Sequence, residues 1–236
     1  MAARDRGERR PRATNTVVGG PAPEDAPLRV FALRRPKPPG YLLVNVTSQS
    51  SSPIWRQLSP MLLGPTLFTT PRGVMRAANV ENAWQYSKVY AVGPAGQPFV
   101  DASGEPNDAY YSWARAGWES PAAVRFPMGR GARPLYSIST AAGGGAAAGD
   151  GGHLGYVESR RRMYAPAYAA AAEASPAYAA LLDLYRSGTP IGLVDFDGWD
   201  HVGQGYSLAE ALREPRVKFG HAFVLAGMLT GERAWE

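Results

Sequence analysis

The chain contains no cysteine and only three histidines, His153, His201 and His221, no two of them four residues apart. The first absence excludes disulfide frameworks, iron–sulfur clusters, thiolate zinc sites and cysteine nucleophiles. The second leaves no zinc-protease helix motif. Lysine is also scarce: Lys37, Lys88 and Lys218 stand against 22 arginines. No apolar run reaches the roughly 18 residues that a membrane span needs. The N-terminal arginines are followed by no apolar segment of the signal-peptide kind, and Asp5 and Glu8 argue against an organellar transit peptide. A soluble protein of a reducing compartment is expected, in the cytoplasm or alternatively the nucleus. Its chemistry has to come from carboxylates, amines, amides and hydroxyls.

What is present is a chain of 236 residues, 45% hydrophobic, with a formal net charge of +5. That length suffices to bury a core without staples. The charge is uneven. Residues 1–12 hold five arginines against two acids, for +3, and residues 13–40 hold four cations against two acids, for +2. The remaining 16 basic and 16 acidic residues cancel, so the body is neutral. A basic arm on a neutral body is a weak polyanion handle, most simply a solvated tail, rather than the stripe of a dedicated nucleic-acid binder.

Residues 1–27 are rich in Pro, Gly and charge without periodicity and are expected to be disordered. Strands are expected from Leu28 (LRVFAL), from Tyr41 to Ser48 (YLLVNVTS) and at PIGLVDF before Gly198. The stretches around SSSPIW and LSPMLLGP are expected to be loops with apolar anchors. Asn79 is an N-cap for a helix predicted over Val80–Tyr90, and the tryptophan-bearing YYSWARAGWES segment suits a helix, with Tyr110, Trp113 and Trp118 read as core. The stretch 140–152 (TAAGGGAAAGDGG) is low complexity and expected to be a flexible insertion. A helix kinked at Pro166 follows it. A second helix is capped by Ser175-Pro176 and closed by Gly188, and a last one starts at Glu214-Pro215. Together these predict one helix-rich α+β domain over residues 28–236 with a small sheet.

On the 80–90 helix, at about 100° per residue, Glu81, Gln85 and Lys88 share one sector, while Trp84 lies between that sector and the apolar face. On an arbitrary helix such a stripe faces solvent. The rarity of lysine makes Lys88 stand out, because a desolvated amine can serve as nucleophile or acid and an arginine cannot. At the end of the last strand, alternation puts Asp195 and Asp197 on one side, where they could hold a hard cation or divide acid and base roles. Asp and Gly are equally common in plain turns. An Asp-x-Asp of this kind also occurs in metal-dependent phosphatases and glycosyltransferases, but the alternating βα units and Gly-rich turn of a doubly wound phosphatase are missing. The Arg160–Arg162 run, Arg161 foremost, could hold phosphate, as could the Gly129–Arg133 loop through its amides and guanidinium groups.

Taken in order, Leu58-Ser59-Pro60, the VENAWQYSKVY helix, RRRMYAPAYAAA, SPAYAALLDLYRSGTPIGLVDF and the Trp199-containing GWDHVGQGYSLAEAL resemble the NADAR (YbiA-like) superfamily over about residues 42–229. Glu81, Gln85 and Lys88 match the family helix in spacing. Asn82-Ala83-Trp84 departs from its His-aromatic-aromatic, Pro60 from its Asn, and Asp200 from the Gly after its Trp. The resemblance implies an N-glycoside hydrolase for ADP-ribosyl or phosphoribosyl N-glycosides, whether free metabolites or modified nucleic acid. The residues singled out suit that chemistry: Glu81, Lys88 and Asp195 are expected as catalytic groups and Trp84, Gln85, Asp197, Trp199 and Arg161 as substrate-binding ones, with neither metal nor cofactor required. Two other classes stay open: a reader that binds ADP-ribose or a nucleotide without turnover, and the Asp-x-Asp metal enzyme.

Overall fold

The computed structural model describes residues 16–17, 27–138 and 153–236. Most of the basic arm and residues 139–152, on which the expectations of a disordered tail and a flexible insertion fall, lie outside the described residues. In chain order the elements begin with β1 (Thr16–Val17), β2 (Leu28–Ala32), β3 (Leu42–Asn45), α1 (Pro53–Arg56), β4 (Thr66–Thr70) and β5 (Gly73–Ala77). They continue with α2 (Val80–Tyr86), β6 (Lys88–Val89), α3 (Asp108–Glu119), β7 (Tyr136–Ile138), β8 (His153–Leu154) and α4 (Tyr156–Ser159). A π-helical turn (Arg160–Tyr164), α5 (Ala165–Glu173), α6 (Pro176–Arg186), β9 (Ile191–Asp195), a 3-10 turn (Val202–Gln204), α7 (Leu208–Arg213) and α8 (His221–Thr230) complete the chain.

The principal sheet has the order β1-β3-β9-β2, and its centre is the strand that comes last. β9 runs parallel to both β2 and β3, pairing Ile191 with Leu28 and with Leu42. All five residues of β9 are buried, as expected of a parallel strand covered on both faces. Thr16–Val17 adds an antiparallel edge against Leu42 and Leu43, so the disorder expected of residues 1–27 does not extend to these two. A hairpin, β4–β5, and a small antiparallel sheet, β6-β7-β8, stand apart from it. The fold is a helix-rich α+β domain.

Two apolar clusters form the core. One gathers the sheet, α5, α6 and α8; the other gathers α2, α3 and the two smaller sheets, including Tyr110 and Trp118. Trp84 packs against both. α8 is apolar all round and buried from His221 to Leu229. Its neighbour α6 starts as its sequence dictates, with the Ser175 hydroxyl accepting from the Ala177 amide and Pro176 in the first turn.

Gly117 lets α3 close on α2. A Cβ there would stand 2.1 Å from the Tyr86 ring, which is already wedged against Trp113 at 4.8 Å between centroids. Gly117→Ala is therefore expected to cost about 1–3 kcal/mol, read as a lower midpoint of chemical denaturation. An unchanged midpoint would mean the two helices are free to part.

Four sequence-based boundaries shift. The helix expected over 80–90 stops at Tyr86: the Ser87 hydroxyl bonds back to the Ala83 carbonyl at 2.6 Å, and Lys88 and Val89 pair with Ser137 and Tyr136. The final helix starts at His221 rather than at Glu214-Pro215, because Arg160 donates to the Glu214 and Val217 carbonyls that a helix would use. The interruption assigned to Pro166 lies ahead of it, in the π turn, with Pro166 tolerated in the first turn of α5. The SSSPIW loop contains α1, capped by Ser52.

Candidate active site

A cavity of about 220 Å³ opens where the two core clusters meet, at the carboxyl end of β9. Its wall includes Glu81, Trp84, Gln85 and Lys88 from α2 and β6, and Asp195 and Asp197 from β9 and its turn. Six of the eight residues singled out in the sequence thus share one cavity. The other two stand outside its lining. Trp199 packs on Phe223 and Tyr206 and donates its indole N–H to the Lys218 carbonyl at 2.9 Å, bracing the segment before α8. Arg161 pairs with Glu158 at 3.2 Å, and its neighbour Arg160 lines the cavity instead.

Glu81, Gln85 and Lys88 form a relay. Lys88 Nζ donates to Gln85 Oε1 at 2.7 Å, and Gln85 Nε2 donates to Glu81 Oε1 at 3.0 Å. The amide is held between a donor and an acceptor, which fixes its orientation. Lys88 Nζ also lies 4.8 Å from the centroid of the Trp84 ring, a cation–π arrangement. Glu81 is 7% exposed, and burial raises its pKa against the opposing pull of Gln85, Arg125 and Lys88. Burial also pushes the Lys88 ammonium down to about 8, with Glu81 opposing and Arg125 assisting. The two groups that would exchange protons with a ligand are thereby moved toward one another in pKa, as acid–base pairs at reactive sites are.

Asp195 and Asp197 have different tasks. Asp195 Oδ2 receives His221 Nδ1 at 3.1 Å and the Ala222 amide at 3.2 Å, at the positive end of α8. The other imidazole nitrogen, Nε2, faces the Val46 carbonyl at 2.9 Å, so both nitrogens face acceptors and the ring carries two protons. Burial opposes both charges, yet the pairing wins: Asp195 is held below the usual carboxylate range and His221 above the usual imidazole range. Gly220 permits the approach, since a Cβ there would stand 2.0 Å from Asp195 Oδ2. Asp197, beyond the strand end, is bracketed by Arg125 at 2.9 Å and Lys218 at 3.0 Å. Both carboxylates are engaged by cationic side chains, which leaves little for a metal ion. Among the described residues no group of three or more His, Asp or Glu is placed to hold one.

Sequence reasoning missed Arg125, Tyr164 and His221 and put Arg161 ahead of Arg160 in the arginine run, whereas Arg125, Arg160, Tyr164 and His221 all line the cavity. Arg125 is carried by a loop pinned to α2: Asn82 Nδ2 donates to the Ser120 and Ala122 carbonyls and its Oδ1 accepts from the Val124 amide. Asn82 thus sets where Arg125 stands. The one local signal for His221 is a polar residue opening an otherwise apolar helix directly after a glycine. No helix among the described residues is long and apolar enough to cross a membrane. No protein-family description, no curated protein and no solved structure matches this chain.

Proposed function

We propose that this cavity hydrolyses an N-glycosidic bond, on a ribose bearing phosphate or ADP, in the manner of the NADAR superfamily that the α2 motif resembles. The observation that carries the reading is the Lys88–Gln85–Glu81 relay, with Glu81 buried and Lys88 half-buried in one cavity wall beside the half-buried Trp84. Breaking a C1–N bond builds positive charge on the ribose while the departing nitrogen gains electrons. The Lys88 ammonium supplies the proton to that nitrogen. Glu81, as carboxylate, faces the growing ribosyl charge and accepts a proton from the water that adds to C1. Gln85 holds the two apart in register. Asp195, bound to His221 and α8, serves as a fixed negative charge rather than a nucleophile, and Trp84 offers a face to the base. Arg125, Arg160 and Lys218 give phosphate oxygens cationic partners.

The experiment is incubation of the protein with ADP-ribosylated guanosine and with phosphoribosyl aminopyrimidines, following free base by chromatography. Release of base at the same rate with and without EDTA is the expected result. Release abolished by EDTA would replace the reading with the Asp-x-Asp metal enzyme. No release, with ADP-ribose bound tightly by calorimetry, would make the cavity a reader.

A further inference from the structure

The cavity does not close at its rim. Its volume of about 220 Å³ is less than the roughly 300–1,000 Å³ of sites that enclose a drug-sized ligand, so a nucleotide-sized substrate extends beyond it. Past the rim the wall continues into an open groove of about 610 Å³ that shares Arg125, Phe126, Asp197 and Lys218 and adds Arg34, Arg35 and Arg130. Five cations face one carboxylate. Asp197 engages Arg125 and Lys218, while Arg34, Arg35 and Arg130 are exposed and enter no ion pair among the described residues. At the junction stands Phe126, 48% exposed, with the guanidinium groups of Arg125 and Arg130 at 5.5 Å and 5.4 Å from its ring centroid.

We propose that this groove binds the sugar–phosphate backbone of single-stranded nucleic acid, with one base stacked on Phe126, and so presents a nucleotide of that strand to the cavity. Three guanidinium groups without an ion pair among the described residues, beyond the two cations that Asp197 engages, are more than one diphosphate requires. A single strand supplies a phosphate per nucleotide and a free π face for each base, the two features that a basic groove with an exposed aromatic selects. A duplex keeps its bases stacked on one another and offers Phe126 nothing. Binding by the groove stands independently of the glycosidase reading; only the delivery of a nucleotide to the cavity rests on it.

The test is fluorescence anisotropy of a labelled oligothymidylate of about 12 nucleotides with the full chain, across a salt series. Reversing Arg34, Arg35 and Arg130 together to Glu is expected to weaken binding at least about tenfold and to flatten the salt slope by about 2, at roughly 0.7 per cation. The matching Arg→Gln triple variant follows in the same direction, and Phe126→Ala weakens binding about tenfold without changing the slope. Groove variants that bind as wild type, which would place the contact on the basic arm, overturn the proposal. Duplex bound as tightly as single strand, or groove-dependent binding of ADP without any binding of the oligonucleotide, also overturns it. Base release from a small N-glycoside separates the two readings. Release without groove-dependent strand binding removes the groove alone. Groove-dependent strand binding without release removes the glycosidase alone.

Discussion

Lys88→Ala is expected to lower kcat for base release by about 10²–10⁴-fold, the usual contribution of a positioned general acid. The pH profile carries more information than the loss. In the proposed reaction Lys88 works protonated, and burial has pushed its pKa down to about 8, so the rate is expected to fall as pH rises through that value. Glu81 works ionised, and burial has raised its pKa, so the rate also falls as pH drops through a point above the ordinary carboxylate value. The profile is a bell. Lys88→Arg keeps the charge but not the exchangeable proton, because a guanidinium stays protonated throughout. Its rate is expected to remain low and its alkaline limb to disappear. Full activity in Lys88→Ala, or an alkaline limb that survives in Lys88→Arg, would remove Lys88 from the chemistry.

His221→Ala has the largest expected effect on stability, a loss of about 3–5 kcal/mol, because it leaves the Asp195 carboxylate buried without its partner. Asp195 is 2% and His221 5% exposed, so the carboxylate is largely withdrawn from bulk water and depends on the ring for its counter-charge. The linkage has a definite sign. His221, raised when folded, contributes stability that is complete below the imidazole's unfolded value of about 6.5 and is lost as pH rises through the folded value. Asp195, lowered when folded, contributes stability that is complete above its unfolded value of about 3.9 and is lost as pH falls through the folded value. Both contributions coexist between those two unfolded values. In the variant, burial without a counter-charge drives the Asp195 pKa upward, so its deficit relative to wild type should shrink as acid neutralises the carboxylate. Urea denaturation of both proteins over a pH series measures this. A deficit under about 1 kcal/mol at every pH, the size of an exposed pair, would mean the imidazole and carboxylate are not a buried pair.

The elements legible in the sequence are those whose cause is local. Asn79 caps α2, Ser175-Pro176 opens α6 and Gly188 follows its end at φ +77°, because a side-chain oxygen, a missing N–H and a missing Cβ act within a few residues. The β2, β3 and β9 segments were likewise readable from their aliphatic runs. What sequence spacing cannot convey is which segment lies opposite. Lys88 leaves the helix because β7, about fifty positions away, offers a ladder partner. The last helix starts late because Arg160 claims carbonyls of another segment. The site divides in the same way. The Glu81–Gln85–Lys88 stripe and the Asp195–Asp197 pair are visible because each lies within one short stretch of chain. His221, Arg125 and Arg160 reach the cavity from three separate segments, and spacing along the chain does not show that Arg160 rather than Arg161 lines it.

The place of β9 at the middle of the principal sheet also sets the order of events during synthesis. β2 and β3 do not pair with one another; each pairs with β9, which begins at Ile191. At about 5–20 residues per second, a ribosome that has finished β3 needs on the order of ten to thirty seconds to deliver the strand that joins them. Through that interval the nascent chain carries two apolar strands with open edges, a form that chaperones recognise and that neighbouring nascent chains can capture. Slowing translation upstream of Ile191 should therefore lower the yield of native protein, and slowing it downstream should not.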